Sequence, residues 1–206
     1  MNPKALLITD GIIHPPLLGR VALRRALAAL AGFAWEQARS LEVLPSRPRN
    51  YAALVLYFHH ARISERALEA LEQFVAGGGG VLAIHSATAS FKETPAYFDI
   101  LGGKFVGHGP VEHFEVRPVP ESGLFGDIPP FTVRDELYRH ELRPGIQAHL
   151  VAVERGEEVP VLWTYRYGQG RVCYAVPGHC AATMRHPTYQ EVLRRGLLWV
   201  CGREEG

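Results

Sequence analysis

Short apolar runs alternate with helical patterns along the first half of the chain. Buried strands are predicted over residues 5–9, 51–58 and 81–84, because each run is almost continuously apolar and stops abruptly at polar or small residues. A further short strand is predicted within residues 33–43. Continuous apolar runs of this kind are typical of parallel strands that are covered on both faces.

Helical patterns separate these strands, and another one comes near the end of the sequence. Apolar residues recur at helical spacing over residues 18–30 and again after Ser64, which is placed as an N-cap, up to the glycine run 77–80. Pro187 opens a last amphipathic helix. This alternation predicts an α/β fold with a doubly wound, mostly parallel sheet and helices on both faces. The length of 206 residues fits a single domain, 1–206.

The second half of the chain shows a different pattern. Alternating polar and apolar residues predict an edge or antiparallel strand over 111–119, and further strands are predicted over 151–154 and 160–165. A hairpin-like turn at 167–170 leads into a last strand that begins at Arg171. We therefore expect extra antiparallel strands in the C-terminal half.

The predicted strand ends locate a candidate site. In open α/β sheets ligands bind outside the carboxyl ends of the strands, near the point where the strand order reverses. The residues that follow such ends here are Asp10, Gly11, His14, His59, His60, His85 and Ser86. Among them, His85 stands where many α/β enzymes carry a Ser or Cys nucleophile on a strained turn. An imidazole at that position has the chemistry of an acid, a base or a metal ligand.

Further polar candidates come from the second half of the chain. His108 is assigned to a loop over 102–109, Glu136 lies in an acidic pair with Asp135, and His179 follows an apolar strand. Imidazole and carboxylate groups together suit proton transfer, and the same groups are ordinary ligands of zinc and similar divalent ions. Because the sequence has no closely spaced ligand pair, a metal site would combine distant segments.

Structural interpretations compete with these assignments. Asp135 and Arg139 could form a surface ion pair with Glu136, and His14, His140 and His149 are interpreted as surface residues. Cys180 follows His179 directly, which leaves a cysteine hydrolase as an alternative function.

Composition and charge argue against nucleic acid and membranes as binding partners. The chain has 22 basic and 21 acidic residues and a formal charge of +1, so no whole-chain field favours nucleic acid or an anionic membrane. Its start is too short and too soon polar for a signal peptide, and no apolar run is long enough to cross a bilayer, so we expect a cytoplasmic protein. Three cysteines without CxxC spacing predict free thiols.

An ordered set of motifs resembles ThuA-like proteins, the trehalose-utilisation family. The set covers nearly the whole chain. Its members are VLAIHS ending at Ser86, LGGKF from Leu101, His108, DELY from Asp135, PVLW from Pro160, YGQGRV from Tyr167, PGH from Pro177 and His186 with Pro187.

The resemblance implies a class I glutamine amidotransferase-like, flavodoxin-like fold and a role in carbohydrate metabolism that involves 3-keto sugars. His85 replaces the catalytic Cys of the amidotransferases, so no glutaminase activity is expected. On this basis His85, Glu136 and His179 are predicted to move protons at a sugar or 3-keto sugar. Ser86, Tyr138, Trp163 and His59 are predicted to bind substrate, and His108 and His60 to bind a divalent metal.

The expected ligand is accordingly a small carbohydrate. Self-association of the chain as a homo-oligomer is left open. A non-catalytic sugar-binding or partner protein that keeps the same fold is the main alternative to an enzyme.

Overall fold

The computed structural model describes residues 2–11, 15–30, 32–47, 51–120 and 122–203, and His14 therefore lies outside the described residues. The strands are β1 (Lys4–Thr9), β2 (Ala34–Ala38), β3 (Tyr51–Tyr57), β4 (Gly80–Ile84), β5 (Gly103–His108), β6 (Glu112–Pro118), β7 (Phe131–Asp135), β8 (Tyr138–Leu142), β9 (Gln147–Glu154), β10 (Glu157–Tyr167) and β11 (Gly170–Ala175). The helices are α1 (Leu17–Ala28), α2 (Glu65–Ala76), α3 (Pro95–Leu101), α4 (Ala181–Arg185) and α5 (Pro187–Val200), with short 3-10 turns between some elements.

One large mixed sheet organises the described residues, in the strand order β2-β1-β3-β4-β11-β10-β9-β6-β7. The pairs from β2 to β11 are parallel. The pairs from β11 to β7 are antiparallel. The predicted α/β class and the antiparallel strands of the second half are thus confirmed, while the finer flavodoxin-like and amidotransferase-like assignment stays a prediction.

The parallel half is buried, as its continuous apolar runs predicted. Val81, Leu82, Ala83 and Ile84 of β4 are all 0 % exposed, and α5 packs against β3, β4 and β11. The hydroxyl of Ser64 accepts a hydrogen bond from the Ala67 amide at 3.2 Å, which confirms it as the N-cap of α2.

Parallel pairing brings the carboxyl ends of β1, β3, β4 and β11 to one edge of the sheet. The strand order reverses between β1 and β3, because the chain goes from β1 to β2 on one side and then returns to β3 on the other. The polar cluster described below lies at β4 and β11 instead, because residues from the second half of the chain complete it.

Part of the second half differs from the sequence prediction. Residues 103–108, assigned above to a loop, form β5, which pairs with β8 in a separate two-stranded antiparallel sheet. β7 and β8 were not predicted at all. Each of these two strands has only five residues, which is a short pattern to recognise. β5 pairs with the distant segment β8, so its own sequence gives little indication that it is a strand.

The surface assignment of two histidines is wrong. His149 is 4 % exposed, and its two ring nitrogens each lie 2.8 Å from a hydroxyl oxygen, of Ser122 and of Thr164. The ring of His140 is enclosed by the rings of Phe105, Tyr138, Trp163 and Tyr174. Burial lowers the pKa of His140 to about 3, so this imidazole is neutral in the folded protein.

The neutral, ring-enclosed imidazole of His140 should make the stability of the protein sensitive to acid. In the unfolded chain a histidine has a pKa of about 6.5, so below that pH the unfolded state binds more protons and the free energy of unfolding falls. For this one group, the loss in the free energy of unfolding is expected to approach about 1.4 kcal/mol per pH unit. Denaturant unfolding at a series of pH values should show a shallower acid decline for His140→Gln, whereas the exposed-site control His113→Gln should follow the wild type. Equal slopes for all three proteins would contradict the prediction.

Cys173, Cys180 and Cys201 are free thiols, as predicted. Burial raises the pKa of Cys173 to about 12 and that of Cys201 to about 11. Within the described ranges, no helix combines the length and the apolar character that crossing a bilayer requires.

Candidate active site

A strained turn presents His85 at the end of β4. His85 has φ +47°, in the left-handed region that residues other than glycine seldom occupy. Its carbonyl oxygen accepts hydrogen bonds from the Tyr174 hydroxyl at 2.8 Å and from Thr88. Gly178 lies so close that a Cβ there would stand 2.6 Å from His85 Cβ. The turn has the backbone strain expected of a nucleophile turn, but it carries a fully buried imidazole.

The orientation of the His85 ring follows from its hydrogen bond. His85 Nδ1 lies 2.8 Å from the carbonyl oxygen of Val176. A carbonyl oxygen only accepts, so Nδ1 carries the hydrogen and Nε2 of the neutral ring keeps its lone pair. Nε2 lies 3.5 Å from Glu136 Oε2. The main chain therefore fixes which nitrogen His85 offers to the site.

Glu136 and His179 complete a three-residue cluster. Glu136 directly follows β7, and its Oε2 lies 3.4 Å from His179 Nδ1, in the segment after β11. One ligand atom from each of His85, Glu136 and His179 lies within 4.8 Å of the other two. The structure thus brings together the three residues that the sequence singled out for proton transfer.

The electrostatics of the cluster centre on the Glu136 carboxylate. Burial by itself raises its pKa, but His85, His179 and His108 together hold the pKa below the usual range for a glutamate. Among the described residues, neither Glu136 Oε2 nor His85 Nε2 makes a hydrogen bond of normal geometry. Buried polar atoms nearly always have a partner, so these two atoms favour a proton or a cation between them.

Tyr138 and His108 form the rim of the cluster. The Tyr138 ring lies 4.1 Å from the His85 ring and 5.3 Å from the His108 ring, centroid to centroid. Burial and the nearby charges of Glu136 and Asp135 raise the pKa of Tyr138, so it stays a neutral hydrogen-bond donor. The side chains of His108 and His179 are 36 % and 24 % exposed, against 9 % for Glu136. Solvent therefore reaches the cluster on the His108 and His179 side.

Two other predicted site residues, His59 and His60, lie just after β3. His60 Nε2 lies 3.4 Å from Asp10 Oδ2, and its ring stacks on Phe58. His59 is exposed at the surface, but partial desolvation of its ring lowers its pKa, and the positive charge of Lys92 adds to this effect. The metal and substrate roles of these two histidines stay predictions.

Trp163 and Ser86 are both buried. Trp163 is 0 % exposed, donates from Nε1 to the Leu101 carbonyl at 3.2 Å and packs on Tyr174, so its ring belongs to the core and presents no face to a ligand. Ser86 is 1 % exposed, and its hydroxyl has no hydrogen-bond partner among the described residues.

Cys180 has properties that do not favour a nucleophile. Burial and the charges of Asp135 and Glu136 raise the pKa of its thiol above the usual value. The thiolate is the reactive form of cysteine, so the cysteine hydrolase alternative gains no support from this geometry.

The sequence interpretation missed the residues that support the site. Asp135 is 0 % exposed, not part of a surface ion pair, and Arg139 pairs with Glu154 instead. Thr88 Oγ1 lies 2.7 Å from the Tyr174 hydroxyl and 2.9 Å from His140 Nε2, which links the His85 turn to the core. The available signal for Asp135 was an acidic residue at the end of the alternating segment 131–135.

Comparison with known proteins identifies the family. A family model described as trehalose utilisation (ThuA) matches residues 4–200. The chain belongs to the ThuA family. The resemblance inferred from the motifs is therefore confirmed. No curated protein matches this ThuA-family sequence.

Solved structures share the fold of this ThuA-family chain. A ThuA-like protein from Parabacteroides merdae has a TM-score of 0.86 at 20 % identity, over 99 % of this chain and 91 % of that chain. A ThuA-like protein from Bacteroides uniformis has a TM-score of 0.79 at 17 % identity, over 97 % and 91 %. A β-galactosidase from Rahnella sp. R3 has a TM-score of 0.71 at 14 % identity, over 97 % of this chain and 32 % of that chain. At these identities the likeness concerns the fold alone.

Proposed function

We propose that this protein is an enzyme of carbohydrate metabolism that moves a proton at a carbon next to the carbonyl group of a sugar or 3-keto sugar. In this proposal His85, Glu136 and His179 hold a divalent cation of the zinc class. The convergence of one ligand atom from each of the three side chains carries the proposal. The description of the family as trehalose utilisation supports a carbohydrate substrate.

The three residues fit a divalent cation. Two imidazoles and one carboxylate are a common ligand set for zinc. With metal–ligand bonds of about 2.0–2.1 Å, the ligand atoms of a tetrahedral site stand roughly 3.3–3.4 Å apart. Two of the three separations, 3.5 Å and 3.4 Å from Glu136 Oε2 to the two imidazole nitrogens, are close to that value, and all three atoms lie within 4.8 Å of one another. The hydrogen bond from His85 Nδ1 to a main-chain carbonyl is typical of a metal-binding histidine.

The cation would polarise the sugar carbonyl and so acidify the hydrogen on the adjacent carbon. His108 is the group best placed to take that proton, because it combines exposure with proximity to Glu136 Oε1, 3.9 Å from its Nδ1. Its Nδ1 donates to the Gly109 carbonyl at 2.7 Å, which leaves the lone pair on Nε2. Return of that proton to the former carbonyl carbon, together with transfer of the adjacent hydroxyl proton to the former carbonyl oxygen, completes an isomerisation. The buried His85 only holds its ligand position.

A glutaminase reaction is not part of this proposal. Such a reaction requires a thiolate that forms a thioester, and the strained turn after β4 offers an imidazole in its place. A sugar-binding protein without catalysis would use the same cluster, and the experiment below distinguishes such a protein from an enzyme.

Metal content and deuterium exchange test the proposal with separate readouts. The protein loaded with Zn²⁺ should bind about one ion and incorporate deuterium from D₂O next to the carbonyl of a 3-keto sugar, followed by NMR. His85→Ala should lose both properties, and His108→Ala should keep the ion and lose most of the exchange. His113→Ala, an exposed residue of β6, serves as the matched control.

Two results would contradict the proposal. If His85→Ala binds Zn²⁺ with the same affinity as the wild type, the cation does not bind at the proposed site. Tight sugar binding without any exchange in the loaded wild type would favour the binding-protein alternative.

A further inference from the structure

We infer that Asp135 is a positioning residue of this site. Its carboxylate fixes the main chain at Glu136 and at His179 relative to each other, so that the cluster can form. The inference rests on the proposed function, because it concerns the same side chains. It adds a residue that does not touch a substrate or a cation and acts through the main chain of its neighbours.

The contacts of Asp135 are unusual for a carboxylate. Its Oδ1 accepts hydrogen bonds from the amides of Glu136, Gly178 and His179 at 2.9, 3.1 and 2.9 Å. Its Oδ2 accepts from the amide of Cys180 at 3.0 Å. The side chain is 0 % exposed and lies at the end of β7. One buried group thus joins the segment that carries Glu136 to the segment that carries His179.

The other groups that hold the segment 176–180 have complementary roles. The Tyr57 hydroxyl donates to the Gly178 carbonyl, and the Tyr189 hydroxyl donates to the Pro177 carbonyl. These tyrosines satisfy carbonyl oxygens, whereas Asp135 satisfies the amides. Without the carboxylate, three consecutive amide donors would lose this acceptor.

Charge strengthens this arrangement. Hydrogen bonds to an ionised carboxylate are roughly twice as strong as neutral ones, and the burial of Asp135 increases the difference. An asparagine has nearly the same shape but only one accepting oxygen. Its amide group would face an N–H donor and could not accept from it.

Asp135→Asn tests the inference, with Asp127→Asn as the matched control. Asp127 makes an exposed ion pair with Arg195, so its replacement should leave the site unchanged. Asp135→Asn should weaken Zn²⁺ binding by about 10- to 100-fold, the range seen when groups that orient metal ligands are removed. Affinity is measured by competition with a chromogenic chelator, and thermal unfolding of each variant shows that the protein is folded.

Ring ¹⁵N spectra of the histidines provide a readout that needs neither metal nor substrate. In the metal-free protein, Asp135→Asn should shift the His179 ring signals, while the His149 signals stay in place because that ring has separate partners. If the variant does not fold, amide hydrogen exchange in the wild type replaces it. The amides of His179 and Cys180 should then be as protected as those of β11.

The outcomes separate this inference from the proposed function. Unchanged His179 signals in folded Asp135→Asn, or Zn²⁺ affinity within twofold of the wild type, would overturn the positioning role, as would rapid exchange of the two wild-type amides. If the wild type binds no Zn²⁺, the cation of the proposed function is ruled out. Shifted His179 signals in Asp135→Asn would still support the role of Asp135.

Discussion

Glu136→Gln is expected to abolish Zn²⁺ binding at the site, with a loss of affinity well beyond the 10- to 100-fold typical of residues around the ligands. Glu136 Oε2 is the atom shared by the two imidazoles, at 3.5 Å from His85 and 3.4 Å from His179. The amide removes the negative charge and places either a neutral oxygen or an NH₂ group there. Deuterium exchange into the keto sugar should fall to the level without enzyme, since every step of the proposal depends on this carboxylate.

The control for this variant is Glu112→Gln, which changes an exposed carboxylate on β6. It should keep the Zn²⁺ affinity and the exchange rate of the wild type. Thermal unfolding should show both variants folded, because Glu136 Oε2 makes no hydrogen bond of normal geometry to a described residue. Zn²⁺ binding that survives in Glu136→Gln would place the cation elsewhere.

Gly178→Ala is expected to disturb the site through simple overlap. The added Cβ would lie 2.6 Å from His85 Cβ and 3.2 Å from a methyl carbon of Ile84, whereas carbon atoms in contact prefer about 3.5–4.0 Å. His85 Cβ is attached to a strained main chain and cannot move independently. Overpacking of this kind typically destabilises a protein by about 1–3 kcal/mol, and displacement of the His85 ring should also weaken Zn²⁺ binding.

Gly107→Ala provides the comparison, because a Cβ at that position would meet no atom within 4 Å. Neither glycine has a positive φ, so steric overlap is the difference between the two substitutions. Denaturant unfolding and chelator competition are measured on both. If Gly178→Ala matches Gly107→Ala in stability and in Zn²⁺ affinity, the close approach of the two segments is not a constraint on the site.

Supporting residues were harder to predict than the site residues themselves. His85 was recognisable because an apolar strand ends at it and because many enzymes place a reactive group there. Asp135 was assigned with Arg139 to a surface ion pair around Glu136, and nothing in its own segment indicates that it accepts hydrogen bonds from the amides of residues 178–180. Burial of a polar group depends on partners that are distant in sequence, and so a local pattern does not reveal it.

The same reason explains the misassigned histidines. His140 and His149 lie in β8 and β9, where successive side chains point to opposite faces. Sequence alone did not show which faces are covered. β9 places the His149 ring against Thr164, and β8 places the His140 ring against Thr88. Trp163 illustrates the converse, since an aromatic residue suited to a sugar face is here part of the core.

The sequence by itself determined the alternation of strands and helices in the first half, the antiparallel character of the second and the polar residues at the strand ends. Periodicity and capping encode these features within a few residues, so they can be read locally. Only the tertiary structure decided that β4 lies beside β11, and that the segment after β7 reaches the same edge. Those neighbours bring His85, Glu136 and His179 together, because contacts between distant segments depend on how the whole sheet is ordered and not on any one segment of it.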